Sequence, residues 1–272
     1  MTRVVPRPAN VIVGAGLVEA REARNLSLRN VAKRAKISPG ALSYYEWGGS
    51  APSVATAAML LGILEAPVAV RNHLLDLVAR AQERNFVACT ERELHLLRTG
   101  YEQLAFRVCE WSPTLFPSAL RTSTYAQALH ESRLLSFDIT PRSIIPGKRV
   151  RAPDDNQRGR AFRRETEPRR TFLIGEAATR PDACTSDVLR DQIEEVGMLQ
   201  SLLDVSVDFV PASACAPGLV EPFTLYEDQQ RAIAAAVPHR NGAIFFTDPE
   251  TVKRYQKAAQ HLRSSVVNHA WT

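Results

Sequence analysis

The stretch NLSLRNVAKRAKISPGALSYYEWG, residues 25–48, decides the fold at the start of this 272-residue chain. Leu28, Val31, Ala32 and Ala35 recur at helical spacing on one face, and Arg29, Lys33, Arg34 and Lys36 take the other positions. Ser27 precedes them as a candidate N-cap, and this helix is expected to end near Lys36. Ile37 fills a turn. Ser38-Pro39 restarts a helix with a capping hydroxyl and a proline at its first position, Leu42 and Tyr45 form its inward face, and Gly48-Gly49 stop it. Two short helices so joined have the spacing of a helix-turn-helix, which lays its second helix in the DNA major groove.

Charge around the motif agrees with that expectation. Residues 1–80 hold ten Lys/Arg against five Asp/Glu, an excess equal to the +5 of the whole chain. Such a module gains affinity by neutralising phosphates and releasing counterions. Arg29, Lys33 and Lys36 are the expected phosphate contacts, and Ser38–Tyr44 the residues in the groove. Pro39 and Gly40 have no side chain that can hydrogen-bond a base edge, so base discrimination falls to Ser43 and Tyr44. Trp47 is divided between covering the core and lying against the DNA backbone.

On these residues, 12–64 resemble the Xre (lambda/434 repressor-like) class of DNA-binding domain, which implies a bundle of five short helices. The resemblance places Leu28–Ala32 on the second helix and Leu42-Ser43-x-x-Glu46-x-Gly48 on the third. Pro52-Ser53 opens a fourth that runs through Met59, Leu60 and Leu61. It also implies a structural ion pair between Arg21 and Glu46, and it sets Tyr44 where relatives carry arginine.

Beyond the motif, Val68 to about Ala88 reads as an amphipathic helix with Leu74, Leu75, Leu77 and Val78 inward. A second helix is expected over Glu91–Cys109, opened by a Thr90/Glu93 capping box. Residues 67–109 would thus form a helical connector, a candidate dimerising layer, between a DNA-binding domain at 1–66 and a third domain at 110–272.

That third domain begins EWSPTLFPSALRTSTYAQAL, residues 110–129. Pro117–Thr122 followed by Tyr125-Ala126-x-Ala128-Leu129 resembles the phrase PGLLQTxxYAxAL that opens the C-terminal domain of WhiJ-type actinobacterial regulators, with Ser118 and Arg121 replacing glycine and glutamine. The likeness continues through Glu176-Ala177-Ala178, the helix VLRDQIEEVGMLQSLL and the helix PETVKRYQKAAQHLRSSVV. It implies an antitoxin-like or developmental regulator paired with a small acidic protein.

Residues 148–170 carry nine basic and four acidic side chains, a solvated loop or a supplementary phosphate contact. From Thr171 onward the balance reverses to eight against thirteen, better suited to sensing or protein contact than to DNA. Strands are expected at Thr171–Gly175, Val205–Val210, Pro222–Tyr226 and Ala243–Thr247, where β-branched and aromatic residues concentrate. The C-terminal domain should be α+β, its antiparallel or mixed sheet backed by helices at 185–203 and 249–268.

Several classes are set aside. Cys89, Cys109, Cys184 and Cys215 are far apart and the six histidines scattered, so no metal site is expected. No apolar run approaches the roughly 20 residues of a membrane span, and there is no signal-peptide core, which points to the cytoplasm. There is no Walker loop and no GxSxG elbow, and Gly14-x-Gly16 lacks the third glycine of a dinucleotide fingerprint. No catalytic residue and no cofactor is therefore assigned. Asp154-Asp155 and Glu194-Glu195 are read as solvated charges. The expectation is a transcriptional regulator that binds a double-stranded DNA operator as a homodimer and receives a partner-protein or ligand signal. Two alternatives stay open: a small-molecule sensor of a biosynthetic pathway, its pocket lined by Trp111, Phe116, Tyr125, Phe172, Phe245 and Phe246, or an enzyme that keeps the helix-turn-helix as a scaffold.

Overall fold

Apolar residues at helical spacing crowd the first eighty positions, and they build a helical bundle. The computed structural model describes residues 5–131, 168–182, 184–202, 205–215, 219–239 and 242–266. These fall into two compact units, one running through Leu104 and including Ile244–Asp248, the other formed by most of the chain after Ala105.

The first unit opens with five helices: α1 (Pro8–Ala23), α2 (Leu28–Arg34), α3 (Pro39–Glu46), α4 (Val54–Ile63) and α5 (Val68–Ala79). Ser27, Ser38 and Ser53 each accept a hydrogen bond from the amide three residues on, at 3.2, 3.1 and 3.1 Å, and so begin α2, α3 and α4. Helices α1 to α4 also end alike. Asn25, Lys36, Gly48 and Glu65 have φ of 51, 52, 81 and 50°, and the amide of the next residue reaches back to the carbonyls of Arg21, Ala32, Tyr44 and Leu61. Three of these left-handed stops are not glycine, an arrangement that costs about 1 kcal/mol each. α1 is buried on all sides over Pro8–Gly14 because α3, α5 and α6 (Glu91–Leu104) pack on it. Gly14 makes the α3 contact possible: a Cβ there would lie 2.6 Å from the carbonyl oxygens of Tyr45 and Glu46. Close packing explains this glycine.

The helix expected from Val68 to about Ala88 is corrected by the structure. It stops at Ala79, Arg80 pairs with Glu83 in the following turn at 3.0 Å, and Asn85–Ala88 forms strand β1. Phe86 and Ala88 are buried while Asn85 and Val87 are exposed, the period of two that marks a strand. The Thr90/Glu93 capping box forms, with Glu93 N donating to Thr90 Oγ1 at 3.2 Å and Thr90 N to Glu93 Oε2 at 3.3 Å. Much later in the chain, β7 (Gly242–Phe246) lies beside β1, Thr247 N donates to the Arg84 carbonyl at 2.8 Å, and Phe245 stacks on Tyr101 at 5.9 Å.

The second unit is a mixed sheet with helices on both faces. Its strands are β2 (Arg107–Ser112), β3 (Arg169–Gly175), β4 (Val205–Val210), β5 (Phe223–Glu227) and β6 (Ala232–His239), in the spatial order β6-β5-β2-β3-β4. β2 and β4 pair with β3 in parallel; β5 pairs with β2 and β6 antiparallel. α7 (Ser123–Glu131) and α8 (Ser186–Leu202) cover one face, and α9 (Pro249–Ser264) the other. The α+β class expected for this domain is therefore present. α8 and α9 match the two helices expected at 185–203 and 249–268, and β3, β4, β5 and β7 fall within two residues of the expected strands.

Two further corrections concern strands. The helix expected over Glu91–Cys109 ends at Leu104, and Arg107–Ser112 instead forms the central strand, with Val108, Cys109 and Trp111 buried between neighbours on both sides. β6 is a strand that the sequence does not signal, because AIAAAVPH has the composition of a helix; its residues 232–236 are nonetheless all buried. The basic stretch at 148–170 lies largely outside the described residues, and its last two, Arg169 and Arg170, begin β3.

Candidate nucleic-acid interface

Leu42 is wholly buried and Val31 and Ala32 are inaccessible, so α2 and α3 are fixed by their inner faces and present their polar residues outward. Arg29, Lys33 and Lys36 are exposed along α2 and its end, and Ser38, Pro39 and Gly40 are exposed at the start of α3. Ser38 Oγ is occupied as acceptor by the Ala41 amide at 3.1 Å, which leaves its hydroxyl proton free to donate. Ser43 is half-buried on the next turn.

Tyr44 and Trp47 are placed together. Their ring centroids are 5.7 Å apart, and both lie over Gly49, where an added Cβ would fall 2.3 Å from Tyr44 Cε2 and 2.5 Å from Trp47 Cε3. Both rings are thus half-buried at the end of α3, and the glycine supplies the room.

Arg21 and Glu46 meet. Arg21 Nε donates to Glu46 Oε1 at 2.7 Å and Nη2 to Oε2 at 3.2 Å, while Nη1 reaches the Leu26 carbonyl at 3.0 Å. One arginine therefore ties the last turn of α3 to α1 and to the loop before α2. Both side chains are largely covered, at 16% and 9% exposure, so the pair is shielded from salt better than a surface one. On the outside, Arg24 pairs with Glu65 and Arg92 with Glu19.

The aromatic side chains expected to line a pocket are not brought to one place. Phe116, Tyr125 and Phe172 share a core with α7 and α8, Phe116 edge-on to Tyr125 at 5.4 Å. Trp111 pairs in register with Leu173 and Phe223, and Phe223 packs on Tyr255 of α9 at 5.2 Å. Side chains alternate along a strand, so the sheet itself stands between Trp111 and Phe172. Phe245 is buried in the other unit against Tyr101, with the half-buried Phe246 beside it in sequence. Among the described residues no three of His, Cys, Asp and Glu are arranged to hold a metal ion.

Two features of the C-terminal domain escape the sequence. Gln192, wholly buried on α8, donates to the Leu120 carbonyl at 2.7 Å and accepts from the Thr122 amide at 2.8 Å. It pins the Pro117–Thr122 turn. On the opposite face of the sheet Arg263 chelates Glu227 at 2.7 and 3.2 Å, with Arg107 4.0 Å from the same carboxylate. Cys109 sits beside them, and burial pushes its thiol up to about 11 against the pull of Arg263. Register alone could have suggested the Arg107–Glu227 pairing, but nothing in the local sequence points to Arg263 or Gln192.

A bundle of five helices, three of them serine-capped, with an exposed basic α2 and an open α3 is the module of a helix-turn-helix DNA-binding regulator. A family profile described as a helix-turn-helix domain matches residues 12–74. A second, described as a domain of unknown function, DUF5753, matches residues 98–272, and the chain belongs to that family. Comparison with curated proteins and with solved structures finds no match. Among the described residues no helix is long and apolar enough to cross a membrane.

Proposed function

We propose that this chain is a sequence-specific transcriptional regulator of the Xre type, binding a two-fold DNA operator as a homodimer, and that its C-terminal domain receives a signal from a partner protein or a ligand. The observation that carries the reading is the α2–turn–α3 surface, where Arg29, Lys33 and Lys36 are exposed beside the open first turn of α3. Ser38–Tyr44 enter the major groove, and the three basic side chains contact phosphates on either side. The acidic balance after residue 170 supports an input role for the C-terminal domain, since a surface of that sign repels DNA.

Replacing Arg29, Lys33 and Lys36 together by alanine tests the phosphate set. Binding to all duplexes should weaken, and the slope of log K against log salt should flatten by about 0.9 for each phosphate no longer neutralised. A folded triple variant with an unchanged slope would assign phosphate neutralisation to other side chains.

A further inference from the structure

α6 crosses α1 closely at Gly100, where an added Cβ would lie 2.4 Å from Val11 Cγ1. Beside that crossing the N-terminal unit holds a groove of about 180 Å³, open to solvent, between α1, the end of α3 and α6. Its floor is apolar: Val11 and Leu104 are buried, and Ala15, Val18 and Leu96 are half-buried. Trp47 stands at the α3 end. α6 adds His95, Thr99 and Gln103, which recur every four residues and so lie on one stripe, about 6 Å apart. Among the described residues none of these three side chains has a hydrogen-bond or ionic partner.

We infer that this groove binds a small neutral aromatic molecule, and that the bound molecule reports to α3 through Trp47. An apolar floor edged by a few convergent polar side chains is the usual make-up of a ligand site. Size limits the ligand to about one ring, since a cavity of about 150 Å³ accepts benzene. Charge selects a neutral one. No Lys or Arg lines the groove, so an anion would meet the carboxylates of Glu19 and Glu46 with nothing to offset them. A cation would find both already claimed, Glu19 by Arg92 and Glu46 by Arg21. The imidazole, hydroxyl and amide on α6 each donate and accept, which suits a ring carrying hydroxyl or amide groups along one edge.

The inference rests on the DNA-binding reading above and gives its ligand input a place and a route. Residues 99–104 belong to the span matched as DUF5753, whereas Ala15, Val18 and Trp47 belong to the helix-turn-helix match, so the groove is lined from both. Trp47 has little room to yield. It shares the space over Gly49 with Tyr44, their ring centroids 5.7 Å apart, and a Cβ added there would fall 2.5 Å from one ring and 2.3 Å from the other. A ligand ring lodged against Trp47 therefore displaces Tyr44. Specific affinity for DNA then falls, while Arg29, Lys33 and Lys36 keep their contacts with phosphates.

The test titrates the full chain with three probes, neutral 4-hydroxybenzamide, anionic benzoate and cationic benzylamine, following the indole N–H signal of Trp47 by nuclear magnetic resonance. 4-Hydroxybenzamide should bind with a Kd of about 1 mM, as fits a one-ring fragment, and the two charged probes at least about 10-fold more weakly. Thr99→Val and Gln103→Leu should each weaken its binding about 5-fold, and Ala15→Leu, which fills the groove, should abolish it, with thermal melts like wild type. On a duplex that the chain itself selects from random sequence, saturating 4-hydroxybenzamide should lower affinity about 5-fold or more and leave random duplexes unaffected. A Trp47 signal unmoved by all three probes up to about 10 mM would overturn the site. Charged probes bound as well as the neutral one would overturn its chemistry, and binding indifferent to both Thr99→Val and Ala15→Leu would place the ligand elsewhere. Binding at the groove with unchanged affinity for the selected duplex would overturn the route through Trp47. If the probe bound there but the chain selected no duplex, the DNA-binding reading would fail and the ligand site would stand.

Discussion

Arg21 does three jobs with one guanidinium, and the outcome of losing it can be placed on stability ahead of recognition. Its fork holds both oxygens of Glu46 and its third nitrogen the Leu26 carbonyl. Glu46→Ala strands a largely covered arginine and should cost about 2 kcal/mol, the range for hydrogen bonds to charged groups. A lowered melting temperature with unchanged operator affinity per folded molecule is the expected result; a loss of affinity in the still-folded variant would instead give Glu46 a part in binding. The cysteines offer a second check. Burial holds Cys109 protonated up to about 11, so at pH 8 it carries almost no thiolate and should resist alkylation, while the exposed Cys89 is modified readily. The raised thiol also links to stability. Its folded value lies above the unfolded one near 9.0, so the unfolded chain ionises first and stability should fall as pH rises from about 9 to 11. Mass spectrometry after brief alkylation, and melts across that pH range, would show either effect.

Among the elements, α3 carries the most specific expectation. Tyr44 and Trp47 share the space over Gly49, so Tyr44 reaches outward only with the part of its ring that Trp47 leaves open. Tyr44→Ala should narrow the gap between operator and random DNA more than it lowers non-specific affinity, and identical selected sites for wild type and variant would move the readout to Ser43 or to DNA shape. The caps of α2, α3 and α4 and the Thr90/Glu93 box are legible in the sequence, because a hydroxyl three residues before an amide is a local signal. β1, β2 and β6 are not legible, for a physical reason common to them. Their apolar residues gain burial from neighbours distant in sequence, and Ala232–Ala236 in particular have helical propensity that the sheet overrides. The aromatic set fails as a single site because alternation along β2 and β3 sends Trp111 and Phe172 to opposite faces, a fact that needs the register. Gln192 lies seventy residues from the turn it holds and has no local signature at all.

At the scale of the whole chain, family and compactness draw different lines. The DUF5753 match begins at residue 98, inside α6, whereas Leu97, Tyr101 and Leu104 of that helix are buried in the N-terminal unit. A fragment ending at residue 80 would expose the side of α1 that α6 covers, including the Val11 surface that Gly100 approaches closely. Such a fragment should melt well below one ending after Leu104, as followed by circular dichroism, and equal melting would show α6 to be dispensable for the bundle. Even the longer fragment lacks something. Phe245 stacks on Tyr101 and the Thr247 amide closes on Arg84, so the N-terminal unit borrows the five residues Ile244–Asp248 from far along the chain. On the ribosome, the five-helix bundle emerges first, and the wall that β1 and α6 add to its unit is complete only once those five residues follow, after most of the C-terminal half has been translated.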